Sequence, residues 1–237
     1  MTSFVLVHGA FRGGWAWRRV RPHLIAAGHD VHAPSLLGAG EHAGLIDAVT
    51  GLEVWVDQVA RLIELEDLYD VALVGHSQGG LVTTAVAARI PERIGHLVHL
   101  DAAVPAPGER AVDLHPGGAP DPLPPRAAVV PAPAPASDLD ASAAAWLAER
   151  TTATPVAVAL DPVPAAPDGV PEHFVFCDAT PPGYPATAVR ARLDAERRDY
   201  RLLESGHDAP LTAPAQVARL LIDVTTAVPS SRERSPR

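Results

Sequence analysis

The sequence predicts an α/β protein: a mainly parallel sheet covered by helices on both faces. Three observations carry that prediction. Short, largely apolar runs recur at Phe4–Val7, Val71–Val74, Ile94–Leu100 and His173–Cys177, without the strict alternation of a half-solvated strand. Between them lie stretches with apolar residues at helical spacing, so strand and helix alternate along the chain. The runs end on His8-Gly9, Gly75-His76-Ser77, Asp101 and Asp178, so polar groups collect where the carboxyl edge of such a sheet would lie.

In chain order, Phe4–Val7 is a buried strand feeding the glycine-rich loop His8–Gly14. Trp17–Ala27 has a helical pattern that Gly28 closes, and His29–Pro34 is a second short strand. Residues 35–51 are irregular. Leu52–Leu65 is an amphipathic helix, with apolar side chains at Leu52, Trp55, Val59, Leu62 and Ile63. A strand from Val71 and an Ala/Val-rich helix ending near Pro91 follow, then a strand over Ile94–Asp101. Composition changes sharply at 105–171, which holds 15 of the 25 prolines and one helical pattern, Ser142–Arg150. The Ala/Pro run Val129–Ala136 has linker composition. A long insertion in a compact domain is more often functional, so this window is read as a cap with an apolar roof over the site. The sheet resumes at His173–Asp178. A charged helix over Thr187–Arg198, a strand over Tyr200–Leu203, a loop over Ser205–Leu211 and a closing helix over Ala213–Val224 complete residues 1–228 as one domain. Residues 229–237 have the composition of a disordered tail.

A formal charge of −9 without any Lys/Arg cluster argues against nucleic acid or an anionic membrane as partner. A single cysteine, Cys177, excludes an internal disulfide and fits a reducing compartment. The first apolar run is short and has no basic leader, and no run approaches the length of a membrane span. The expectation is a soluble cytoplasmic protein acting on a small molecule, its oligomeric state left open.

The chemistry centres on Gly75-His76-Ser77-Gln78-Gly79. A strand, a turn too tight for side chains at its flanks, and a helix would lift Ser77 from the sheet edge, with the helix N-terminus behind it. A serine hydroxyl needs a base to take its proton, and the base needs a carboxylate to hold its tautomer. His207, on the loop after the last strand, is the candidate base. Asp178 and Asp101 both end strands on the same edge and are nearly tied as the acid. Asp208 adjoins His207, so its side chain should point elsewhere. Ala10, in the first glycine loop, and Gln78, after Ser77, would supply backbone N–H groups to an oxyanion.

Taken together, Val7-His8-Gly9-Ala10, Gly13-Gly14-Trp15, Gly75–Gly80, Leu100-Asp101-Ala102 and Gly206-His207-Asp208 resemble the α/β-hydrolase superfamily. The likeness is to its branch of plant methylesterases, hydroxynitrile lyases and bacterial pyrethroid-hydrolase-like esterases, and it extends to about Val224. It implies an α/β-hydrolase fold with about six parallel strands, Ser77 as nucleophile, His207 as base, and Ala10 and Gln78 as oxyanion donors. In that branch the acid falls a few residues after the cysteine of the penultimate strand, where this chain has Thr180. A shifted loop makes Asp178 the preferred acid, with Asp101 the alternative. The lyases of the branch use a threonine at the place of Gly9 and a lysine at the place of Asp208, which argues against cyanohydrin cleavage here. The resemblance therefore implies a serine hydrolase of an ester, lactone or thioester with an apolar portion, needing no metal or organic cofactor. Two other readings are a ligand-binding protein with a degenerate triad and a cofactor-free lyase or cyclase.

Overall fold

A computed structural model describes residues 1–134 and 139–226. The expected tail at 229–237 and the end of the Ala/Pro run at 135–136 lie outside the described residues.

Six strands form one wholly parallel sheet: β1 (Ser3–Val7), β2 (Asp30–His32), β3 (Val71–His76), β4 (Ile94–Leu100), β7 (Glu172–Cys177) and β8 (Arg201–Leu203). Their order across the sheet is β2-β1-β3-β4-β7-β8. The chain runs outward from β1 to one edge, returns to β3 and then builds toward the other edge. In open α/β sheets such a reversal is where the carboxyl ends of the central strands offer a place for a site.

Both faces of the sheet are buried, which explains why its strands read as apolar runs. Val5, Val7, Leu73 and Leu97 face one layer, with Trp55, Val59 and Ile63 of helix α2 (Leu52–Leu65) and Leu81 and Val86 of α3 (Gly79–Arg89). Phe4, Leu6, Val74, Val98 and Leu100 face the other, against Trp17, Leu24 of α1 (Arg21–Ala26) and Val217 and Leu221 of α7 (Pro214–Thr226). Each large apolar side chain so buried contributes roughly 1.5–3 kcal/mol before chain entropy is subtracted.

One expected helix is shorter than its pattern. In place of Trp17–Ala27 the chain makes a 3-10 turn at Gly14–Trp17 and then α1, with Pro22 in its first turn. Proline has no N–H to give to a preceding turn, so it starts a helix more readily than it continues one.

The Pro-rich window contains a two-stranded antiparallel pair, β5 (Val129–Val130) with β6 (Thr154–Pro155), and helix α4 (Ala141–Ala148). Its far end packs into the main core through Val158 and Val163. Leu147 of α4 packs on Leu211, just beyond the loop that carries His207. Helix α5 (Pro185–Glu196) follows β7, and a short helix α6 (Ala209–Thr212) occupies the end of the loop expected over Ser205–Leu211.

Candidate active site

β3 delivers Ser77 at a left-handed backbone angle, φ +53°, which a residue with a Cβ adopts only where its surroundings enforce it. Ser77 N–H donates to the Leu100 carbonyl at 3.2 Å, and the Ser77 carbonyl accepts from Gly80 N–H at 3.1 Å and Ala103 N–H at 2.9 Å. Glycine is required on either side because space is absent. A Cβ on Gly75 would sit 2.5 Å from Thr83 Oγ1, and one on Gly79 would sit 2.6 Å from the Val7 carbonyl oxygen. The hydroxyl is thus raised at the sheet edge with the first turn of α3 directly behind it.

His207, buried on the loop between β8 and α6, places Nε2 3.0 Å from Ser77 Oγ. Its Nδ1 lies 2.6 Å from Asp101 Oδ2. A carboxylate only accepts, so Nδ1 carries the proton and Nε2 is left free to take one from Ser77.

Asp101, 1% exposed at the end of β4, is therefore the carboxylate behind the base, and the preference for Asp178 is corrected. Two features decide this. Asp101 adopts φ +44°, and its N–H donates to the Val175 carbonyl at 2.7 Å. Asp178 instead follows β7 at the surface, and its Oδ1 accepts from Ser205 N–H at 3.1 Å. Because β4 and β7 are paired neighbours, Asp101 also receives Cys177 N–H at 3.1 Å on Oδ1 and Thr180 Oγ1–H at 2.6 Å on Oδ2.

Among the described residues, no protein acceptor takes the N–H of Ala10 or Gln78. These are the two amides expected to face an oxyanion.

The family follows from sequence matched to this architecture: residues 4–220 fit the model of the alpha/beta hydrolase family. The chain belongs to the alpha/beta hydrolase family. The chain is 47% identical over 120 residues to a carbendazim hydrolyzing esterase from Nocardioides sp., covering 51% of this chain and 50% of that protein. It is 39% identical over 103 residues to salicylic acid-binding protein 2 of Nicotiana tabacum, covering 43% of this chain and 40% of that one. The matched region thus spans half or less of these curated relatives. The crystal structure of a methylesterase protein from Arabidopsis superposes with a TM-score of 0.78 at 23% identity, covering 95% of this chain and 99% of that one. At that identity the likeness concerns the fold.

Around Ser77, His207 and Asp101, two buried histidines are held by hydrogen bonds within the fold. His76 donates from Nε2 to the His207 carbonyl at 2.9 Å, and its ring lies 4.9 Å from that of His207. Burial first, and then the neighbouring His207, lowers the His76 pKa to about 4, so it stays neutral. His8 donates from Nδ1 to the Gly9 carbonyl at 2.8 Å and accepts Leu36 N–H at 3.0 Å; burial lowers its pKa to about 4 as well. The Tyr184 ring lies 4.4 Å from that of His207.

Four other contacts had little or no signal in the sequence. Thr180 fills the place where the branch carries its acid, and that substitution was the available clue to its contact with Asp101. Asp208 does point away from His207, toward Arg12 at 2.9 Å. From the cap, Thr152 N–H donates to the Phe11 carbonyl at 3.1 Å, and Thr154 Oγ1 donates to Gln78 Oε1 at 3.2 Å. Among the described residues, no three His, Cys, Asp or Glu side chains gather where they would hold a metal ion.

Proposed function

We propose that this chain is a serine hydrolase that cleaves a carboxylic ester, lactone or thioester of a small, largely apolar substrate through an acyl-enzyme. The observation that carries the reading is the unbroken line from Asp101 through His207 to Ser77, with steps of 2.6 Å and 3.0 Å. Ser77 Oγ attacks the carbonyl carbon as its proton passes to His207 Nε2, and the carbonyl electron pair moves onto oxygen. The Ala10 and Gln78 amides meet that oxyanion, and Asp101 steadies the imidazolium. Collapse expels the alcohol or thiol, which takes the proton from Nε2. Water then repeats the sequence and releases the acid. One oxyanion donor is typically worth about 3 kcal/mol, so two amides account for a large share of the acceleration.

The esterase names of matched relatives support the same chemistry, and Trp15, Trp146, Leu147 and Leu211 give the neighbourhood its apolar character. The ligand-binding alternative rested on a displaced acid. With Asp101 behind His207, no observation favours it. A series of p-nitrophenyl esters and a fluorophosphonate probe test the proposal. The parent protein should turn over at least the short esters and be labelled at Ser77, and Ser77→Ala should do neither. Absence of both turnover and labelling in the parent protein overturns it.

A further inference from the structure

Arg12 lies two residues beyond Ala10, and Asp208 immediately follows His207. Their side chains meet through Arg12 Nη2 and Asp208 Oδ1 at 2.9 Å, with exposures of 14% and 9%. The pair thus joins the loop that presents an oxyanion donor to the loop that presents the base, 196 residues away.

Each loop also has anchors of its own, the His207 loop at His76 and Asp101 and the Ala10 loop at Ser35. Phe11 takes a left-handed φ of +65°, and its carbonyl is tied to the cap at Thr152. The Asp208 carbonyl accepts Leu211 N–H at 2.8 Å and Thr212 N–H at 3.1 Å, opening α6. Trp15, Trp146, Leu147 and Leu211 cover the ion pair, and the cavity left beside it is about 10 Å³. Burial alone would raise the Asp208 carboxyl; the Arg12 guanidinium, by charge and hydrogen bond, holds it below its ordinary value. A paired buried charge is costly to leave unpaired, which makes the link stiff.

We propose that Arg12 and Asp208 are positioning residues, whose ion pair clamps the oxyanion loop to the base loop and sets the separation between Ala10 N–H and His207. The proposal rests on the serine-hydrolase reading for its kinetic consequence and on geometry alone for its mechanical one.

The pair also shapes the charge around His207. That ring faces Asp101 from the end of β4, His76 from β3, Tyr184 ahead of α5 and Ser77 from the elbow, with Asp208 next to it in the chain and Arg12 behind Asp208.

The test compares Arg12→Gln, Asp208→Asn, the double variant and Arg12→Lys. Asp208→Asn keeps an acceptor for Arg12 and so guards against a failure to fold. Labelling of the parent protein by the fluorophosphonate tests the hydrolase reading separately. In the single variants kcat should fall roughly 10- to 100-fold with KM little changed, as expected when reacting groups are misplaced. The double variant should be no worse than the poorer single, and Arg12→Lys should recover most of the loss. Amide hydrogen exchange in residues 10–14 and 206–211 should quicken in the singles, a readout that needs no substrate. Losses that multiply in the double variant, a change confined to KM, or unaltered exchange would each overturn the clamp.

Discussion

Thr180 and Asp101 stand 79 residues apart in the chain, yet Thr180 Oγ1 meets Asp101 Oδ2 at 2.6 Å, on the same oxygen that receives His207 Nδ1–H at 2.6 Å. Two donors on one oxygen, with Cys177 N–H on the other, leave the carboxylate one orientation. Thr180→Val keeps the shape and removes the donor. It should lower stability to urea by about 1–3 kcal/mol and reduce kcat, and Thr180→Ser should restore both.

Exchange of the acid for its amide separates the two aspartates. Asp101→Asn should reduce kcat/KM on a p-nitrophenyl ester by on the order of 10⁴, because the amide favours the wrong tautomer of His207. Asp178→Asn should leave it within about threefold, since an amide oxygen still accepts from Ser205 N–H. The reverse ranking would return the role to Asp178.

Gly9 faces the nucleophile closely. A Cβ there would lie 2.6 Å from Ser77 Cβ and 3.2 Å from the His76 carbonyl oxygen, both parts of the elbow itself. Gly9→Ala should cut both kcat and fluorophosphonate labelling at least tenfold. Gly28→Ala is the control: φ is +84° but nothing lies within 4 Å of its Cβ, so it should cost about 1 kcal/mol of stability with kcat unchanged.

His8, His76 and His173 each have a pKa lowered to about 4, in every case chiefly by burial. The unfolded chain takes up these protons near pH 6.5 while the folded protein refuses them until about pH 4. Stability is therefore intact above pH 6.5 and falls as pH drops through that window, by at most about 1.4 kcal/mol per pH unit for each histidine. Urea denaturation from pH 7.5 to 4.5 measures the slope. Replacing His173, which is outside the site, by Asn should flatten it by about a third.

Much of the framework was legible because burial on both faces of a sheet leaves a simple mark. Leu52–Leu65 has the bounds its pattern predicts; β4 and β8 differ from the expected strands by one residue at one end, and β7 by one residue at each end. The elbow was legible because its glycines answer to a local lack of space. The acid was not. Asp101 and Asp178 end adjacent strands on the same edge, and the choice depends on a left-handed angle at Asp101 and on the Ser205 amide that engages Asp178. Neither has a fixed sequence signature. Nor has the link between Arg12 and Asp208, a contact between side chains of distant loops. Pro22 did carry a signal, since a proline five residues into a helical pattern marks a start.

Thr152 and Thr154, on the returning limb of the Pro-rich insertion, reach the two segments proposed to supply the oxyanion donors, one at the Phe11 carbonyl beside Ala10 and the other at the side chain of Gln78 itself. The insertion is thereby tethered to both of these segments. Under the proposed function, exchanging it for a longer or shorter one should change, through Thr152 and Thr154, the angle at which a carbonyl oxygen is met. A transplanted insertion should therefore keep the proposed activity only if it ends with the same two donors in the same register.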